Sequence, residues 1–272
     1  MPAIKTLMPA IKVIVTGASG KMSREVLTML CGSKEFEPVG AVSRWAAEDY
    51  LSLPDGSGLV PLSPDLETII QRCRPDVLVD FTNAEYSLPA ARAALKNGVR
   101  PVIGTSGLAP TQIDELKRLS HDNKVGCVIA PNFALGAVVM IKLAKFAAPF
   151  FDHVEIIEMH HDQKVDAPSG TAIATARDMA AARGKPFTTA PTLKENVPGP
   201  RASQVEGVVI HSLRLPGLMA HQEVVFGGQG QTLRIRHDTL GRECYMPGVA
   251  IAIKEVVKLS ELVYGLDMLL GL

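Results

Sequence analysis

The spacing of apolar and polar positions changes character along the chain and sorts it into regions. In the first half, short apolar runs alternate with stretches of helical spacing. Lys12-Val13-Ile14-Val15-Thr16 is a β-branched run broken by Gly17-Ala18-Ser19-Gly20; Met22, Val26, Leu27 and Leu30 then recur on one helix face. Runs over 38–43, 76–81, 101–104 and 125–130 predict further strands, with helices over 63–73, 86–97 and 110–123 between them. Strands that alternate with helices in this way predict an α/β fold with a doubly wound parallel sheet.

Past Pro131 the pattern differs. It predicts a helix over 135–148, a strand over 154–159 and a helix over 170–183, followed by a long loop, rich in Pro, Thr and Gly, over 184–201. Segments 207–215, 221–226 and 232–237 alternate apolar and polar positions, which predicts an open, largely antiparallel sheet. From 248 to 270 the spacing is helical again.

Composition narrows the function classes. The 272 residues allow two domains or one large α/β domain. Aromatics are 5%, so the core must be built from Ala, Val, Ile and Leu, which suits helix-covered parallel strands. Lys and Arg number 28 and Asp and Glu 28, so there is no basic surplus of the kind a general nucleic-acid footprint needs. No apolar stretch reaches the ~18 residues of a membrane span. The first twelve residues lack the apolar core and cleavage site of a signal peptide and contain MPAIK twice, which reads as an alternative start or a duplication. Cys31, Cys73, Cys127 and Cys244 form no CxxC and are expected to be buried free thiols, in keeping with a reducing cytoplasm.

Two regions hold candidate chemistry. The first is Val13 to Met22, VIVTGASGKM, a strand, a glycine turn and a helix start. Glycines allow close backbone approach, and the helix N-terminus offers free N–H groups and a positive dipole end to a pyrophosphate. The spacing is G-x-x-G rather than G-x-G-x-x-G, with Ser23 where a third glycine could stand. The second strand ends at Ser43-Arg44, where an acidic residue would grip the ribose of NAD; a neutral and a cationic residue suit a 2′-phosphate better, so NADPH is the preferred cofactor and NADH the alternative. The turns Gly104-Thr105-Ser106-Gly107 and Ala130-Pro131-Asn132-Phe133 also follow strands and are placed to line the nicotinamide side.

The second region is Glu155 to Thr171, EIIEMHHDQKVDAPSGT. A strand leads into a polar loop holding His160, His161 and Lys164, and then into a helix start that Ser169 can cap. A helix N-terminus and the Lys164 ammonium make an anion pocket; His160 or Lys164 can supply a proton where hydride addition leaves negative charge. Neighbouring cations should lower one another's pKa values. Glu158, His160 and His161 are not spaced as H-E-x-x-H, so no metal is expected.

In order, VTGASGKM, GTSG, APNF and EMHHDQKVDAPSGTA resemble the 4-hydroxy-tetrahydrodipicolinate reductase family, also called dihydrodipicolinate reductase, over nearly the whole chain. The resemblance implies a cytoplasmic enzyme of diaminopimelate and lysine synthesis that reduces a cyclic dicarboxylate to tetrahydrodipicolinate with NADPH or NADH. It implies a Rossmann-like domain over 1–130 completed by 244–272, and a central α+β domain over 131–243 whose mixed, largely antiparallel sheet also builds a homotetramer. By matching position, His160 is the proton donor and acceptor and Lys164 the second proton donor. The resemblance further implies that His161, Ser169, Gly170, Thr171 and Arg242 would contact substrate. By the same resemblance, Gly17, Ala18, Ser19, Gly20, Lys21, Met22, Arg44, Gly104, Thr105, Ser106, Ala130, Pro131, Asn132 and Phe133 would line the cofactor. Ser23 and Ser43 depart from a common glycine and a usual acidic residue; the segment around Arg214 and Gly217 departs from the usual R-x-G-x-x-G. The rivals are another dehydrogenase of this architecture, such as a semialdehyde dehydrogenase with a cysteine nucleophile, and a nucleotide-sensing protein without turnover.

Overall fold

A computed structural model describes residues 9–197 and 199–272; the first MPAIK copy lies outside them. The chain divides into two units, residues 9–133 with 245–272, and residues 134–244.

The first unit begins with β1 (Ile11–Thr16), α1 (Lys21–Cys31), β2 (Phe36–Val42), β3 (Tyr50–Ser52), β4 (Leu59–Ser63) and α2 (Leu66–Cys73). It continues with β5 (Val77–Asp80), α3 (Ala84–Lys96), β6 (Arg100–Ile103), α4 (Pro110–Asn123) and β7 (Cys127–Ile129). After the second unit the chain returns as α7 (Met246–Val256), β13 (Leu262–Tyr264) and α8 (Leu266–Leu270). Central strands are apolar on both faces: Val13 to Val15 and Val77 to Val79 are buried, as a sheet covered by helices on both sides requires. Helix α1 turns Val26, Leu27 and Leu30 to that core, and Asp65 and Asn83 cap α2 and α3.

The sheet order is β13-β7-β6-β5-β1-β2-β4-β3; every neighbouring pair runs parallel except β3–β4. Because β1 lies between β2 and β5, the winding reverses there, and ligands of such sheets bind beyond the carboxyl ends of the strands at the reversal.

Three features differ from the sequence pattern. Strands β3 and β4 form a small antiparallel edge in a segment whose turn residues hide a hydrophobic period. The predicted helical stretch over 248–270 is broken: helical spacing ends with buried Val256, and Leu262–Tyr264 pairs with the open edge of β7. A three-residue apolar run has no period of its own, so the unpaired backbone beside it decides. Of the four free cysteines, only Cys127 is fully buried; the other three are partly exposed.

The second unit comprises α5 (Leu135–Ala147), β8 (His153–His160), α6 (Gly170–Arg183), β9 (Ser203–Val205), β10 (Val208–Arg214), β11 (Ala220–Gly228) and β12 (Gln231–Thr239). Its sheet order is β12-β11-β8-β10-β9, with β8 and β10 parallel and the other pairs antiparallel. Ile156, Ile210, Val224 and Phe226 pack with Ala144, Ala172, Ala176 and Met179 of α5 and α6 into one core. The register aligns Arg214, His160, Ala220 and Thr239 in a single row at one end of this sheet. Among the described residues, no helix is long and apolar enough to cross a membrane.

Candidate active site

The glycine turn after β1 is set by backbone geometry. Gly17 has φ +63°, and a Cβ there would stand 2.7 Å from Thr82 Cγ2, so only glycine fits without strain. The Gly20 N–H closes the turn onto the Gly17 carbonyl at 2.8 Å. Helix α1 starts at Gly20 with no side-chain cap and no acidic residue in its first turn, and the Lys21 and Met22 N–H groups have no protein acceptor among the described residues. That is the donor set a pyrophosphate needs. Ser23 does not disturb it: its buried hydroxyl donates to the Thr16 carbonyl at 2.8 Å and ties the helix to the strand end.

An open cleft of about 100 Å³ adjoins the turn, lined by Gly17, Ser19, Ser43, Arg44, Trp45, Thr82 and Tyr86 among others. Arg44 stacks over the Trp45 ring at 5.3 Å. Ser43 is buried and its hydroxyl accepts from the Trp45 N–H at 3.4 Å, so the position usual for an acidic ribose ligand presents no carboxylate. Burial pushes the Tyr86 phenol up to about 12, keeping it a neutral donor.

The other two predicted turns follow β6 and β7. Gly104 packs so closely on Phe81 that a Cβ would overlap the ring. Thr105 is buried and donates to Asp80 at 3.0 Å; Ser106 and Pro131 are exposed. Ala18, Ala130 and Phe133 are buried, and Phe133 meets Phe81 edge-to-face at 5.5 Å, so these three can offer a ligand only backbone.

In the second unit, the acid–base segment closes around a carboxylate that the sequence pattern undervalued. Glu158 is completely buried at the end of β8. Its Oε2 lies 2.5 Å from His160 Nδ1, and the Arg214 guanidinium donates to both carboxylate oxygens, at 2.8 and 3.1 Å. The Ser169 N–H reaches the same carboxylate at 3.3 Å. One group thus brings together the end of β8, the end of β10 and the start of α6. The signal was present in the period of 2: Ile156, Glu158 and His160 share a strand face, which puts a carboxylate beside the imidazole.

Burial alone would raise the Glu158 carboxyl, but hydrogen bonding, led by Arg214, holds it below its ordinary range. Burial is also the chief reason His160 falls below 6.5; Lys164 and Arg214 push the same way, and Glu158 opposes them. The expected mutual lowering among cations is therefore secondary to desolvation. Lys164 Nζ donates to Asp166 Oδ1 at 2.6 Å, and that bond keeps Asp166 ionised to lower pH.

The Ala167–Pro168 bond in the connecting loop is cis. Ser169 caps α6, its hydroxyl accepting from the Ala172 N–H at 3.2 Å. The Gly170 and Thr171 N–H groups have no protein acceptor among the described residues, and both residues are exposed. His161 is exposed and lies outside the Glu158 network. Arg242 is exposed in the turn after β12, three residues beyond the Thr239 end of the row that holds His160.

Residues 11–133 match the family described as dihydrodipicolinate reductase, N-terminus, and residues 136–270 its C-terminus. The chain belongs to the dihydrodipicolinate reductase family. A 4-hydroxy-tetrahydrodipicolinate reductase of Dehalococcoides mccartyi is 52% identical over 265 residues, 97% of this chain and 100% of that protein. One from Moorella thermoacetica is 48% identical over 268 residues, 97% and 99% of the two chains. The dipicolinate-bound dihydrodipicolinate reductase from Paenisporosarcina sp. TG-14 superposes with a TM-score of 0.85 at 42% identity, covering 95% of this chain and 99% of that one. Members of this reductase family are NAD(P)H-dependent oxidoreductases, and the rival cysteine chemistry has no support here: Cys127 is fully buried and its thiol is pushed far up by desolvation.

Proposed function

We propose that this chain reduces 4-hydroxy-tetrahydrodipicolinate to tetrahydrodipicolinate in diaminopimelate and lysine synthesis, with NADPH as preferred donor, as a cytoplasmic homotetramer. The observation that supports the chemistry best is the Glu158 carboxylate touching both the His160 imidazole and the Ser169 N–H at the start of α6. It sets a proton-exchanging ring beside a helix start with open N–H groups, the pairing a ring bearing two carboxylates calls for.

The residues of the first unit fit a dinucleotide. The open N–H groups of α1 would hold its pyrophosphate, close approach being allowed by Gly17 and Gly20, and Arg44 would meet a 2′-phosphate. When bound, the nicotinamide supplies the hydride. Backbone of the 104–106 and 130–133 segments would contribute to the same ligand.

In the second unit, Gly170, Thr171 and His161 would bind substrate carboxylates, with Arg242 at the same sheet end. The free imidazole of His160 is neutral at neutral pH, because burial lowers its proton affinity. A doubly negative ring placed beside it raises that affinity again, so a proton is taken up with substrate and is available where charge develops. Lys164 becomes the second donor once substrate competes with Asp166 for its ammonium.

The test is NAD(P)H consumption on enzymatically generated substrate. His160→Gln and Lys164→Ala are each expected to lower kcat by ~10²–10⁴-fold, the usual scale for a positioned acid–base group. Dinucleotide affinity should be unchanged. Near-normal rates in both variants would overturn the assignment, and sedimentation of the native chain checks the tetramer.

A further inference from the structure

The reading of His160 as acid–base group leaves open which ring nitrogen exchanges the proton and what decides it. We propose that Glu158 is the positioning residue of this site: its carboxylate, clamped by Arg214, accepts the Nδ1–H of His160 and leaves Nε2 as the working nitrogen. The proposal rests on the proposed role of His160.

The geometry is one-sided. A carboxylate with no exposed surface accepts two guanidinium N–H bonds and one backbone N–H, which leaves it ionised and able only to accept. A ring nitrogen 2.5 Å away must then be the protonated one. No protein group among the described residues bonds Nε2, and the His160 side chain keeps 16% exposure. Arg214 also donates to the Asp166 carbonyl at 2.6 Å, so the same guanidinium holds the loop that bears Lys164. The charged groups acting on the ring are Glu158 on its own strand, Lys164 in the following loop and Arg214 on β10. Burial, with Lys164 and Arg214 adding to it, keeps the imidazole neutral when free, while the single Glu158 carboxylate opposes them and stabilises the imidazolium once formed.

A purely structural ion pair would also be buried, so the test must read the ring itself. In ¹⁵N-labelled full-length protein, with and without saturating NADPH, the neutral His160 ring is expected as the Nδ1–H tautomer; an Nε2–H ring overturns the proposal without any variant. Glu158→Gln keeps the shape and an acceptor for Arg214 but turns an amide donor toward Nδ1. It should switch the ring to Nε2–H, lower kcat by ~10²-fold or more and change the acid limb of the pH profile, with dinucleotide binding unaltered. Glu158→Gln with the wild-type tautomer, rate and pH profile makes Glu158 structural only. His160→Gln separates the two ideas: retained turnover there sinks the acid–base reading, whereas loss there with an unaffected Glu158→Gln sinks this one.

Discussion

In the proposed function, the choice between NADPH and NADH turns on Arg44 and Ser43. Just past the end of β2 stand a cation stacked on Trp45 and a serine occupied within its own turn, neither of which would repel a phosphate on the ribose. Arg44→Ala should weaken NADPH by about ten- to a hundredfold, the worth of one lost charge-assisted hydrogen bond. NADH should lose much less. Fluorescence titration with both nucleotides checks it, and equal losses refute the 2′-phosphate role. Gly17 is a different kind of residue: its part is to have no side chain where the turn passes Thr82.

The elements around the dinucleotide turn are joined through Asp80 at the end of β5. This buried carboxylate accepts hydroxyls from Thr16 at the end of β1, from Thr82, from Ser87 in α3 and from Thr105 after β6. It sits at the point where the winding reverses, so it sets the spacing of three loops at once. Asp80→Ala would leave several buried hydroxyls without their acceptor. The expected cost is about 1–3 kcal/mol of stability, read by urea unfolding, together with weaker nucleotide binding. A variant as stable as the parent and equally good at binding nucleotide would show that the loops hold their places without it.

Over the whole molecule, one buried and several half-buried groups bias folding toward one charge state. His160 and His237 both lie below 6.5, chiefly through burial, so the unfolded chain takes up their protons first. Their contribution is intact above 6.5 and is lost as the pH falls through their folded values. Glu158 and Glu155 lie below 4.5, held there by hydrogen bonds that outweigh burial; their contribution is intact above 4.5 and lost as acid protonates them. The urea midpoint should therefore decline in two stages from pH 8 to pH 3, and His160→Gln should flatten the upper one. A midpoint constant from pH 8 to 5 would contradict the first stage.

Local chemistry was enough to announce the parallel sheet, the glycine turn, the Ser169 cap and the dense polar loop, because each depends on neighbours within a few residues: apolar period, backbone freedom, hydroxyl position. The same short range explains what it hid. Glu158 looked like a bystander to the paired histidines, and Arg214 lies more than fifty residues away; only the parallel register of β8 and β10 makes them one network around His160. Asp80 gained its meaning from the order of strands, and Leu262–Tyr264 became a strand because β7 had an edge to pair. Folding brings remote donors to a buried charge, and the cost of leaving that charge alone is what makes such contacts specific.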